Sequence, residues 1–221
     1  AMTLERWFRR AGIGPVNGET VPDVEVTAVA DDSRRIERGA CFVAVRGTKE
    51  KGNRFLEAAV AAGASTIVVD REPSTRPSVP TIQVADARVV LAKLAAAFHS
   101  LDRASTRPLP AIGITGTNGK TTVAWLLRSI LREAGFRPAM MGTVEYDLIS
   151  QRHAADMTTP GTVELCRHLC AAREAGATHV VMEVSSHALD QHRCDGLDFA
   201  AGVFTNLTGD HLDYHRDMEN Y

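Results

Sequence analysis

The sequence predicts an α/β protein of two blocks, the second a parallel-sheet domain of the P-loop type. Three observations predict it. Short apolar runs of strand character alternate with amphipathic helical stretches along the chain. A polar, proline-bearing segment, "DRASTRPLP" at 102–110, divides the two blocks. Finally, "GITGTNGKTT" at 113–122 joins an apolar strand to a helix through a glycine-rich turn.

In the first block, strands are expected at about 24–31, 41–46, 65–70 and 80–84, with a helix from Asn53 to Ala62 closed by Gly63. Residues 88–101 place Val90, Leu91, Leu94, Phe98 and Leu101 on one helical face, which must pack against one of the two blocks. In the second block "AIGIT" reads as a short buried strand. The turn follows, then a helix carrying Leu126, Leu127, Ile130 and Leu131 up to Gly135. "PGTVELCRHLCAAREAG" has proline near the start of a helix and glycine after its end. The strand "THVVMEV", the helix "SSHALDQHR" and the strand "AAGVFTN" come next. Such alternation argues for a parallel sheet wrapped on both faces, with ligands at the carboxyl ends of its strands.

Hydrophobic residues at 44% and charged residues at 24% are ordinary for a globular chain of 221 residues. The formal charge of −2, from 25 basic and 27 acidic side chains, gives no broad positive field for nucleic acid or an anionic membrane. A small charged ligand fits that balance. No run approaches the roughly 18 apolar residues a helix needs to cross a bilayer, and "AMTLERWFRR" lacks the apolar core of a signal peptide. The expected location is cytoplasmic. Cys41, Cys166 and Cys170 lie in apolar-periodic segments and Cys194 outside them, which favours reduced thiols; a zinc site on Cys166, His168 and Cys170 is the sharper alternative.

The glycine turn carries the chemistry. Backbone amides of Gly116, Thr117, Asn118, Gly119, Lys120, Thr121 and Thr122 can converge on phosphate oxygens at the positive end of the helix dipole. Lys120 adds a point charge, and Thr121 stands where P-loop proteins place the hydroxyl that holds magnesium. The spacing departs from the strict P-loop pattern, whose first glycine would fall at residue 114, an isoleucine. Glu183 ends a strand just before Ser185, Ser186 and His187; a carboxylate one strand from a P-loop is what nucleotide-bound magnesium needs. "TNLTGDHLDYH" places Asn206, Asp210, His211, Asp213 and His215 after the last strand. Each alone reads as a solvated loop residue, whereas three polar clusters at three strand ends read as a site.

Together "GITGTNGKTT", "TTP" at 158–160, "MEVSSHAL" with "QHR" at 191–193, and "FTNLTGDHLDYH" closely resemble the Mur ligase family, in its E-type, tripeptide-synthetase branch. That family's turn runs Gly-x-x-Gly-Thr-Asn-Gly-Lys-Thr-Thr, which accounts for the shifted glycine. In the first block "DSRRIERGACFVAVRG" followed by "GNRF" looks like the family's uridine-nucleotide domain. The resemblance implies a UDP-sugar-binding domain over 1–87 and, over 88–221, the first part of a truncated P-loop-type ATPase domain. It implies ATP and Mg2+ as cofactors. The implied partners are UDP-N-acetylmuramoyl-L-alanyl-D-glutamate and a diamino acid, L-lysine or meso-diaminopimelate. In this family the muramoyl-dipeptide carboxylate becomes an acyl phosphate, which the amine then attacks, during peptidoglycan synthesis.

Carried over by motif, residues 116–122 match the ATP-phosphate site, and Lys120, Glu183 and His211 are the implied catalytic residues. Thr121 and Glu183 match ligands of a first magnesium, Glu183 and His211 those of a second. Thr158, Thr159, Ser185, Gln191 and Arg193 match positions that hold the muramoyl peptide. Ser33 with Thr48, Lys49 and Glu50 match uridine-diphosphate contacts. Two departures stand out. Many relatives read Asp-Gly-His-x-Phe where this chain has "KGNRF". The family has three domains, more than 221 residues hold, so the chain alone is expected to lack ligation activity. A cyanophycin or folylpolyglutamate synthetase is the second enzymatic reading, against which "DSR" and "SSHAL" argue. A non-catalytic nucleotide-binding or scaffold protein derived from such a ligase is the alternative from another class.

Overall fold

The computed structural model describes residues 2–45 and 53–221, so the expected contacts Thr48, Lys49 and Glu50 lie outside the described residues. The chain divides into two compact units, Ala1–Ser105 and Thr106–Tyr221. The division falls inside the polar 102–110 segment rather than between 87 and 88, because the helix that follows residue 86 packs within the first unit.

The first unit opens with α1 (Leu4–Ala11), which the sequence reading did not foresee. Its Leu4 and Phe8 are buried. Four parallel strands, β1 (Val29–Ala30), β2 (Cys41–Val43), β3 (Thr66–Val69) and β4 (Thr81–Gln83), follow one another across a single sheet. Parallel neighbours need crossover connections, and α2 (Asn53–Ala61) is the one between β2 and β3. Leu56 and Ala59 of α2 join Phe42, Ile67 and Val69 in one core cluster. After β4, Asp86 caps α3 (Ala87–Phe98) by accepting from the amides of Arg88 and Val89. Phe98 stacks on Trp7 with ring centroids 5.2 Å apart, and Asp102 pairs with Arg10 at 2.7 Å, so both α3 and the residues just past it are tied to α1. Each expected strand is shorter in the structure. At 24–31 only Val29–Ala30 pairs in the sheet, because Glu25 bridges instead to Thr3 and the Val24 carbonyl accepts from the Leu4 amide.

The second unit contains β5 (Ala111–Thr115), α4 (Lys120–Glu133), β6 (Pro138–Met141), β7 (Glu145–Asp147), β8 (Arg152–Ala154), α5 (Thr162–Glu174), β9 (His179–Glu183), α6 (Ser186–Asp190), β10 (Phe199–Phe204) and α7 (Leu212–His215). Sheet order is β10-β5-β9-β6-β7-β8. The first four are mutually parallel, three of them the expected strands and β6 one that was not foreseen, while β7 and β8 add an antiparallel meander, so the sheet is mixed. A buried ion cluster holds the meander to α4. Arg128, 1% exposed, pairs with Asp147, whose Oδ2 also takes Arg152 at 2.8 Å and Arg132 at 3.4 Å.

Helix α4 turns Val123, Ala124, Leu127 and Leu131 onto the sheet against Ile114, Met140 and Val181, while α5 buries Val163, Leu165 and Leu169. Leu126 and Ile130, expected on the same footing as Leu127 and Leu131, are 58% and 62% exposed. They lie one position round the helix from the packed row. At the opposite edge from β8, strand β10 pairs with β5 on one side and with no strand among the described residues on the other; its Phe204 is exposed. Among the described residues, no helix is long and apolar enough to cross a membrane.

Candidate functional site

Strand β5 lies between β9 and β10, and the turn at its carboxyl end is fixed from both sides. On the β10 side, the Thr117 amide donates to the Asn206 carbonyl at 3.0 Å and the Asn118 amide to Asn206 Oδ1 at 3.1 Å. In return Thr205 Oγ1 and Asn206 Nδ2 donate to the Asn118 carbonyl at 2.7 and 2.9 Å. Thr117, named among the nucleotide residues, is buried, and its hydroxyl is 3.0 Å from both the amide and the carbonyl of Thr208 and 2.9 Å from the Tyr221 hydroxyl. That side chain stitches the turn to the chain after β10. Gly116 has φ +124°, and a Cβ there would stand 2.2 Å from Thr205 Oγ1, so no side chain fits.

Past the turn, Gly119 precedes α4 and no side chain caps the helix. The first amides of a helix have no intrahelical partner, and at an uncapped start they face outward as an anion site. Lys120 folds back over the turn, its ammonium donating to the carbonyls of Gly116 at 2.7 Å and Thr117 at 3.1 Å. Thr122 is exposed in the same first helical turn.

On the β9 side, Glu183 is 2% exposed and both of its carboxylate oxygens accept hydrogen bonds. Oε2 accepts from Thr121 Oγ1 at 3.0 Å and from Thr143 Oγ1 at 3.0 Å, and Oε1 accepts from the Thr143 amide at 3.1 Å. Here the residues fit one magnesium ion beside a nucleotide phosphate. A hydroxyl and a carboxylate oxygen, both hard donors, converge next to free helix amides, and magnesium completes its shell with water and phosphate. His211 is engaged elsewhere: its ring packs edge-on to His187 at 4.9 Å, and its Nε2 lies 3.7 Å from Asp210. Among the described residues, no group of three or more His, Cys, Asp or Glu is placed to hold a metal, and that includes the neighbourhood of Cys166, His168 and Cys170.

The residues matched to the acyl substrate form a hydrogen-bonded chain that starts at Thr143 and the Glu183 backbone. Thr158 Oγ1 is 3.1 Å from Thr143 Oγ1. Thr159 is buried, and its hydroxyl donates to the Glu183 carbonyl and accepts from the Ser185 amide, both at 3.0 Å. Ser185 caps α6 through Oγ, which accepts from the Ala188 amide. Arg193 donates to the Thr159 carbonyl at 2.7 Å and, through Nε and Nη2, to Gln191 Oε1. Gln191 in turn donates to the Tyr214 hydroxyl, which donates to Asp190. Burial pushes the His187 imidazole below its ordinary value, and His211 and His215 add to that shift. His215 is buried against Ser186 Oγ at 2.9 Å. In the first unit, Ser33 sits in a short turn whose preceding Asp32 accepts from the Arg34 amide. Sequence reasoning missed Thr143, Thr205, Thr208 and Tyr214; the only signal for Thr143 was its place after an apolar run and a glycine.

Two family models match the chain: one described as Mur ligase middle domain, over residues 114–221, and one described as Mur ligase family, catalytic domain, over 25–99. A protein of Geobacter metallireducens named UDP-N-acetylmuramoyl-L-alanyl-D-glutamate--2,6-diaminopimelate ligase is 44% identical over 199 residues, 90% of this chain and 38% of its own length. Its namesake from Cytophaga hutchinsonii is 40% identical over 222 residues, 100% of this chain and 45% of its own. A solved structure bearing the same ligase name is similar with a TM-score of 0.79 at 29% identity, over 100% of this chain and 43% of that one. The MurF ligase of Thermotoga maritima in complex with ADP shares the fold, with a TM-score of 0.56 at 22% identity, over 90% of this chain and 42% of its own. The chain spans about two fifths of the length of the curated relatives it matches.

Proposed function

The chain belongs to the Mur ligase family, and from that premise we propose that it carries the nucleotide and acyl-substrate sites of a cytoplasmic, ATP-dependent ligase. The ligase joins 2,6-diaminopimelate to UDP-N-acetylmuramoyl-L-alanyl-D-glutamate. The names of relatives at 40–44% identity support diaminopimelate over lysine. The observation that carries the reading is the Thr121 hydroxyl 3.0 Å from Glu183 Oε2, beside a glycine turn that opens an uncapped helix.

A carboxylate is a poor electrophile, so the reaction first gives it a leaving group. The γ-phosphoryl of ATP passes to the glutamyl carboxylate, the amine attacks the acyl phosphate, and inorganic phosphate leaves. Magnesium, when bound, offsets the negative charge of the crowded phosphate oxygens. Amides of 116–122 and Lys120 hold the phosphates, and Lys120 must leave the carbonyls of Gly116 and Thr117 to do so. Thr121 and Glu183 would hold the first magnesium, and His211 with Glu183 would hold the second only once its ring leaves His187 and Asp210. Arg193, with Thr158, Thr159 and Ser185, is assigned to the muramoyl peptide; its planar fork is held by Gln191 Oε1 and must exchange that partner for an anionic group of the substrate. Ser33, with Thr48, Lys49 and Glu50, is assigned to the uridine diphosphate. Calorimetric titration with ATP and Mg2+ tests the nucleotide site. Lys120→Ala is expected to weaken binding about tenfold or more, the loss of a charge-assisted contact; unchanged affinity would overturn the proposal.

A further inference from the structure

We infer that Thr143 is the positioning residue for the Glu183 carboxylate, and that its hydroxyl links the metal side of the site to the acyl-substrate side. The inference rests on the ligase reading above. One residue holds both oxygens of Glu183: the Thr143 amide reaches Oε1 at 3.1 Å, and the Thr143 hydroxyl reaches Oε2 at 3.0 Å. Gly142 makes that grip possible, since a Cβ at 142 would stand 2.2 Å from Glu183 Oε1.

The direction of the hydrogen bonds follows from the chemistry of the groups. An ionised carboxylate only accepts, so Thr121 and Thr143 both donate to Oε2. A threonine hydroxyl has one proton. With that proton on Glu183, the Thr143 oxygen is left to accept, and Thr158 Oγ1 at 3.1 Å is the donor. The chain therefore runs from Thr158 to Thr143 to Glu183, with Thr121 donating from the other side. One end is a residue assigned to the muramoyl peptide, the other the first turn of the P-loop helix. Because Thr143 is itself exposed while Glu183 is buried, these bonds rather than packing around Thr143 set the carboxylate's orientation.

The test uses Mn2+ as the probe, with ATP, read by the loss of the free-ion paramagnetic resonance signal, and thermal unfolding alongside. Thr143→Val is expected to weaken Mn2+ uptake about tenfold, the effect of one hydrogen bond to a charged group. Thr143→Ser restores the hydroxyl and should stay within about twofold of the parent chain, with both variants unfolding close to its temperature. Thr158→Val, which removes the outer donor, should weaken uptake about two- to threefold. Parental uptake by Thr143→Val overturns the positioning role, as does a Thr143→Ser loss equal to that of valine. No effect of Thr158→Val overturns the link. Absence of Mn2+ uptake by the parent chain would overturn the nucleotide reading and this inference together, an outcome distinct from uptake that ignores residue 143.

Discussion

Replacing Asp147 by asparagine keeps the side-chain shape and the bond that Oδ1 accepts from the Ile149 amide, and removes only the charge. Left behind is the Arg128 guanidinium, 2% exposed at its side chain, with Arg132 and Arg152 adding positive field around it. Burial already holds Arg128 below its ordinary value, and those two arginines lower it further. Breaking a buried pair by removing one partner costs about 3–5 kcal/mol. Glu145 at 3.6 Å and the Trp125 ring at 5.2 Å remain to share the charge, so the expectation sits at the low end. For a unit of this size about 3 kcal/mol lowers the melting temperature by roughly 10 °C. The assay is thermal unfolding followed by Trp125 fluorescence in a Trp7→Phe background, which reports the second unit alone. Arg128→Met combined with Asp147→Leu should recover most of the loss, because an apolar pair of similar volume removes the unpaired charge. A shift under about 2 °C for Asp147→Asn, or a double variant no better than the single one, would refute the argument from charge burial.

Three further outcomes are expected. Gly142→Ala puts a methyl group 2.2 Å from Glu183 Oε1 and should weaken nucleotide-dependent Mn2+ uptake by about tenfold or more; retained uptake would mean the carboxylate relocates without consequence. His168 is held below its ordinary value of 6.5 chiefly by burial, with Glu164 opposing. The unfolded chain therefore takes up the proton first, so His168 stabilises the neutral fold at pH 7 and that contribution falls as pH drops below about 6.5. A titration of its ring by nuclear magnetic resonance with a midpoint at or above 6.5 would contradict this. Cys41 and Cys194, buried, are pushed up to about 12, and burial raises Cys166 as well; burial and Glu174 also raise Cys170, but it alone of the four is not buried. Brief alkylation of the native chain at pH 8 should modify Cys170 alone, as read by intact mass; rapid modification of two or more thiols would contradict the burial of the rest.

The sequence displayed what is local and hid what depends on distant partners. "AIGIT" became Ala111–Thr115 residue for residue, since a continuous apolar run ends there at a glycine turn. β7 and β8 escaped notice because "EYD" and "RHA" show no apolar alternation; Arg128 and Arg152, meeting on Asp147, hold that meander. Leu126 and Leu127 look alike in sequence, and only the packing row of α4 separates them. Much the same holds for the site. Turn and strand-end carboxylate were legible from spacing. Thr143 was not, because its partner Glu183 is 40 residues away and Gly-Thr-Val alone signals no chemistry.

The open edge of β10 carries a consequence for handling the chain. On the side away from β5, the backbone of Phe199–Phe204 pairs with no strand among the described residues, and the run holds no lysine or proline to guard it, so another extended segment can pair there. Two copies meeting there would zip together edge to edge, so self-association should climb with protein concentration and light scattering should register it.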